Sequence, residues 1–237
     1  MKSKKDVAGF AYMTKKKSIA TVIDIVEVKD EAGNLSCLKS VLDILRCTTY
    51  ISCLSLEYSF PPALRRLPTG HGQVFRNLTS LTTNVPHSSV AAFLVVHPQI
   101  RFLALGTCNA ANCPLTPLPQ LEQLTIPPGC VLGLLSAGSG LRRLITVHGS
   151  RKDANYPLPR LLNSLYAFGN GRLLTILHLE FHQLDTMLLQ RISVVAPCLI
   201  VLRLTESFFT FEVRQLVCDT DDCLMKQIVQ EIAMGRC

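Results

Sequence analysis

The phrase Leu-x-x-Leu-x-Leu recurs along this chain and constrains it more than any other feature. The clearest copy runs through Ile100, Leu103 and Leu105. Close relatives run through Ile51, Leu54 and Leu56, through Leu121, Leu124 and Ile126, through Leu174, Leu177 and Leu179, and through Leu199, Leu202 and Leu204. Two weaker copies end in threonine: Leu78, Leu81 and Thr83, then Leu141, Leu144 and Thr146. A unit of this length cannot bury its apolar face alone, so copies must stack and share one continuous core.

The second leucine of each phrase serves as a marker: Leu54, Leu81, Leu103, Leu124, Leu144, Leu177 and Leu202. Successive markers lie 27, 22, 21, 20, 33 and 25 residues apart. The longest interval contains the polar run 150–157, which reads as an inserted loop. Candidate helices fill the intervals. Leu35–Arg46 places Leu38, Val41, Leu42 and Leu45 on one face. Ser88–Val96 opens on serines suited to an N-cap and stops at His97-Pro98. Gly129–Ala137 is short, Pro159–Phe168 has proline in its first turn, and Asp185–Val195 ends before Pro197. Strands alternating with helices over short links run parallel.

The ends depart from this pattern. Residues 1–18 form a basic tail expected to be disordered, with six lysines against one acid, Asp6. Five of the net +7 charges sit there, so the body is nearly balanced and offers no fold-wide case for nucleic acid. Ile19–Val28 alternates β-branched residues, as an edge strand or N-terminal cap does. Asp221 and Asp222 followed by Leu224, Ile228 and Ile232 read as a helical cap, so the division is 1–18, 19–210 for about seven repeats and 211–237 for the cap.

Composition excludes several classes. Charged residues are only 17% against 48% apolar, which opposes general disorder. No apolar run approaches the ~20 residues of a membrane span. No secretory signal is read, because the apolar run after Lys17 is broken by Asp24 and Glu27. The ten cysteines form no Cys-x-x-Cys pair, and a reducing compartment, cytoplasmic or nuclear, is expected. The motifs of serine hydrolases, phosphate-binding loops and zinc proteases do not occur, so no catalytic residue, enzyme activity or cofactor is expected.

Alternate residues of a strand face opposite sides. The residues after the markers (Ser55, Thr82, Ala104, Thr125, Ile145, His178 and Arg203) therefore line the face away from the core. Glu57 and Glu180 lie two positions further along their strands. Glu57, His178, Glu180 and Arg203 are the candidate partner-binding residues. His178, Glu180 and His182 share a face at strand spacing, but no further ligand is evident and no metal is expected. Cys108-x4-Cys113 flanks a proline-rich turn and reads as incidental.

The phrase with its intervening helices resembles the leucine-rich repeat family over Leu54 to Leu204. Irregular repeat length and cysteine-tolerant positions resemble the repeats of F-box proteins, especially their divergent fungal set. The resemblance implies an irregular α/β solenoid, or horseshoe, with parallel strands on the concave face and helices on the convex one. It also implies a substrate receptor of a cullin-type ubiquitin ligase, with a protein partner on the concave face and a cullin-ligase adaptor as second partner. A non-catalytic scaffold or nuclear regulatory protein is the alternative. Two departures stand out. The family's Asn or Cys five residues after the marker occurs only as Cys108, with Ser59, Pro86, Gly129, Gly149, His182 and Ser207 elsewhere. No F-box opening is found, so an F-box is expected in another part of a longer gene product or the chain is a repeat-only relative.

Overall fold

All seven marker leucines are buried on β-strands, where alternation of apolar and polar residues gives each strand one dry face. A computed structural model of the protein describes residues 24–30, 43, 45, 48, 50–59, 67, 74–106, 108, 113–135, 139–146, 158–181, 186–206 and 209–214. The chain divides into two compact units, Met1–Leu121 and Glu122–Cys237.

In the first unit, strands β1 (Ile25–Asp30), β2 (Cys53–Tyr58), β3 (Ser80–Thr83) and β4 (Phe102–Leu105) pair in chain order, all parallel. Helix α1 (His87–Val95) links β3 to β4. The register puts Val26 beside Leu54, Leu54 beside Leu81 and Leu81 beside Leu103. The markers thus stack like with like, and a one-residue slip would turn every one of them to water.

The second unit repeats the scheme. Strands β5 (Gln123–Ile126), β6 (Arg143–Thr146), β7 (Ile176–Phe181) and β8 (Val201–Glu206) are parallel, with Leu124, Leu144, Leu177 and Leu202 in register. Between them lie α2 (Val131–Leu134), entered through a 3-10 turn at Pro128–Cys130, then α3 (Leu158–Ala167) and α4 (Thr186–Val195). A last strand, β9 (Phe209–Arg214), pairs antiparallel with β8. Both units are therefore α/β, with parallel strands following chain order. None of the helices among the described residues is long and apolar enough to cross a membrane.

A recurrent backbone device sets the register. The carbonyls of Asp24, Ser52 and Thr79 each accept two successive amides at the start of the next strand, at 2.8–3.2 Å. In the second unit, Glu122, Arg142 and Thr175 do the same at 2.8–3.1 Å. Five of these residues stand two positions before a marker leucine, and Asp24 stands two before Val26, each where the chain enters its strand. The threonines that end the weak phrases are also buried, and their hydroxyls are paired. Thr83 Oγ1 accepts from the Val85 N–H at 3.2 Å, and Thr146 Oγ1 donates to the His178 carbonyl at 3.2 Å. Threonine replaces leucine there without leaving a dry polar group unsatisfied.

Several sequence expectations need adjustment. The N-cap of α1 is Pro86 with no side-chain cap bond, so Ser88 and Ser89 sit inside the first turn rather than capping it. The helix expected over 129–137 is shorter, because α2 spans only Val131–Leu134. The cap expected over 211–237 is corrected at its start: residues 211–214 finish β9, whose alternating Phe209, Phe211 and Val213 suit a strand. The remainder of that segment and the basic tail 1–18 lie outside the described residues, as does most of 35–46, where Asp43 and Leu45 are helical.

His97 does more than end α1. It is fully buried and stacks on Phe93 at 4.1 Å and on Phe75 at 5.7 Å. The Phe75 N–H donates to Nε2 at 3.0 Å, which leaves Nδ1 to donate to the Phe93 carbonyl at 2.8 Å. Those bonds require a neutral ring protonated on Nδ1. Burial holds its pKa below 6.5, against an opposing pull from the Phe93 carbonyl. In the unfolded chain the ring takes up its proton near that ordinary value of 6.5, while the folded chain resists until lower pH. The His97 contribution is thus whole above that pH and is lost as pH falls through it. Urea unfolding of the wild type should show stability dropping from pH 7.5 to pH 5, and His97→Gln should flatten that slope; identical slopes would contradict the assignment.

Gly171 marks a second tight point. A Cβ there would collide with the Val195 carbonyl, so the turn before β7 packs directly on the end of α4. Gly171→Ala should cost about 1–3 kcal/mol in chemical denaturation. Gly129→Ala, where a Cβ meets nothing within 4 Å, should change stability little. Equal effects at the two glycines would refute the close approach.

Candidate functional site

Among the described residues, polar side chains gather on the strand face away from the leucines and at the strand exits of the first unit. On the strand face, the residues following the markers form ladders. Ser55 pairs with Thr82, and Thr82 with Ala104, in the first unit. Thr125, Ile145, His178 and Arg203 follow one another across β5 to β8 in the second. His178 and Arg203 are direct cross-strand neighbours and both are half-buried. Glu180 pairs in register with Thr205 on the next step along β7, and Arg203 has Glu212 as its backbone partner on β9. Glu57 belongs to the first unit, half-buried on β2 opposite Lys29 of β1. Of the four predicted partner-binding residues, the structure therefore groups three on adjacent strands of one unit and places the fourth in the other.

Alternation explains why His178 and Arg203 are presented at all. Their neighbours Leu177, Leu179, Leu202 and Leu204 are buried, so the intervening residues must face the opposite way. An imidazole and a guanidinium side by side give hydrogen-bond donors and a planar cation, well matched to carboxylates and aromatic rings. His182, which would complete a three-residue metal set on β7, lies outside the described residues.

The strand exits of the first unit hold a different chemistry. Asn84, just past β3, turns its side chain back onto β2: its Oδ1 accepts from the Tyr58 N–H at 3.0 Å and its Nδ2 donates to the Tyr58 carbonyl at 2.8 Å. Gly106, just past β4, passes so close that a Cβ would lie 3.0 Å from Asn84 Cα. Its N–H donates to the Thr83 carbonyl at 2.9 Å. His87, the first residue of α1, is buried, and its Nε2 donates to the Gly106 carbonyl at 3.1 Å. Since a carbonyl only accepts, Nε2 holds the ring proton and Nδ1 presents its lone pair.

That lone pair faces sulfur. Nδ1 lies 3.3 Å from Cys113 Sγ, and the ligand atoms of His87, Cys108 and Cys113 all lie within 4.8 Å of one another. Both cysteines carry thiols and are half-buried. The reading of Cys108-x4-Cys113 as incidental is therefore corrected: the two sulfurs converge with a buried imidazole. Sequence spacing missed the group because His87 and Cys108 are one repeat apart, and only stacking makes them neighbours.

No family model matches the chain, no curated protein matches it, and no solved structure matches it.

The Asn84 bridge is testable by itself. Asn84→Ala removes both bonds to Tyr58 and should lower stability by about 1–2 kcal/mol in denaturant titrations. No change would mean that water replaces the side chain without loss.

Proposed function

We propose that this chain is a protein-recognition module of the leucine-rich-repeat type, working through the strand face opposite its leucines. The observation that carries this reading is the ladder of Thr125, Ile145, His178 and Arg203, one residue from each of four successive parallel strands. Such a surface has a fixed spacing of about 4.8 Å per step and offers side chains rather than backbone to a partner. It binds by complementarity over several strands, with Arg203 of a side-chain type enriched among interface anchors. In this reading the repeats are those of an irregular leucine-rich-repeat solenoid with strands on a concave face, and the protein works in the cytoplasm or nucleus.

Resemblance to F-box receptor repeats extends the proposal to a substrate receptor of a cullin-type ubiquitin ligase, bound to a cullin-ligase adaptor. That step rests on the repeat phrase alone, since fold does not fix function. The alternative is a non-catalytic scaffold or nuclear regulatory protein with no ubiquitin-ligase link.

Affinity capture with the full chain should recover a partner protein, and recovery of a cullin adaptor would favour the receptor over the scaffold. Replacing His178 and Arg203 together with alanine should reduce partner recovery at least tenfold, about 1.4 kcal/mol or more, without lowering the melting temperature. Undiminished recovery by the double variant would remove this face from the proposal.

A further inference from the structure

The geometry points to a thiolate–imidazole metal site at the strand exits of the first unit, with His87, Cys108 and Cys113 holding a zinc-class divalent ion. Three observations converge on it. First, the three ligand atoms come from two successive repeats and lie within 4.8 Å of one another. Tetrahedral zinc with bonds of about 2.1 Å to nitrogen and 2.3 Å to sulfur holds such atoms about 3.6–3.8 Å apart, so sub-ångström to one-ångström shifts suffice. Second, the imidazole is already oriented as a ligand. Its Nε2–H donates to the Gly106 carbonyl at 3.1 Å, the outer-shell bond that fixes the tautomer of metal-bound histidines. Its Nδ1 lone pair meets Cys113 Sγ at 3.3 Å, where a thiol proton or a metal would sit. Third, the donor set is soft, two sulfurs and one nitrogen, which selects zinc over magnesium or calcium.

The supporting shell is rigid. Gly106 cannot move toward β3, because the end of that strand fills the space a Cβ would need. The Gly106 N–H is also tied to Thr83. His87 is held in the first turn of α1 and is 2% exposed. An ion bound there would fasten Cys108 and Cys113 to the start of α1.

Binding is written without any redox step. Each thiol of Cys108 and Cys113 releases its proton to solvent, the sulfur lone pairs and Nδ1 bond to the ion, and the two thiolates neutralise its charge. The fourth coordination position goes to water or to a further side chain.

The test uses the reduced full chain under anaerobic conditions, titrated with cobalt(II). Thiolate-to-cobalt charge-transfer bands with the intense visible bands of a tetrahedral centre are expected, with intensity for two or more thiolates, and zinc should bleach them. Cys108→Ser and Cys113→Ser should each abolish the bands, whereas Cys198→Ser, at an exposed position, should not. A second readout needs no variant: zinc should protect Cys108 and Cys113 from alkylation, mapped by mass spectrometry, and leave Cys198 reactive. Octahedral cobalt without charge transfer, bands that survive loss of both cysteines, or alkylation indifferent to zinc would each overturn the site.

Discussion

Everything in this structure depends on registering each strand against the one before it. A single carbonyl two residues ahead of the stacked core residue, a marker leucine or Val26 of β1, takes two amides of the following strand, and this happens three times in each unit. The bond fixes which residue faces which. Once it is made, marker stacks on marker, and buried side chains fall on one face without further instruction. Hydrophobic burial supplies the driving force, but it is non-directional and does not choose between registers that differ by two residues. The carbonyl makes that choice.

The same constraint explains how unequal repeats coexist. Intervals from 20 to 33 residues separate the markers, yet the strands pair with the same residue-for-residue alignment. Extra length is absorbed between strands, in segments that do not enter the ladder. The weaker phrases survive for a related reason. Thr83 and Thr146 fill the third core position, and each has a hydrogen bond for its hydroxyl. A polar residue in a core costs little when its partner is supplied by the neighbouring turn or strand.

This division also decides what was legible in the sequence. Period-two alternation and the marker leucines depend on local pattern, so the parallel α/β arrangement, the seven strands β2 to β8 and the open-face ladders could be read from residues alone. Helix limits were nearly as clear where proline or glycine stops the chain, as at His97-Pro98 and Gly169. What escaped is whatever depends on contact between repeats. Pro86 rather than a serine caps α1, because that residue ends a tight exit from β3. His97 looked like a stop signal, and its role as a buried bridge to Phe75 needs a partner 22 residues away. Most of β9 falls in the segment expected as a helical cap from residue 211, since an antiparallel strand breaks the repeat that made the others visible. The meeting of His87, Cys108 and Cys113 is the strongest case, because the imidazole that joins the two cysteines comes from the preceding repeat, 21 residues before Cys108.

The two proposed surfaces follow from different directions within one repeat. Along a strand, residues after the marker lie on the face opposite the leucines and differ freely, because none is needed for the core; they range from Ala104 and Ser55 to His178 and Arg203. At the strand exit the backbone is crowded, and Asn84, Gly106 and His87 are each held by hydrogen bonds or by contact. A recognition surface profits from the first situation, where side chains can vary without cost to the fold. A metal site needs the second, where ligands are held before the ion arrives and little ordering entropy remains to oppose binding. The repeat supplies both, so an ion at the exits and a partner on the strands would make demands on different residues. Substitutions that reshape one need not disturb the other.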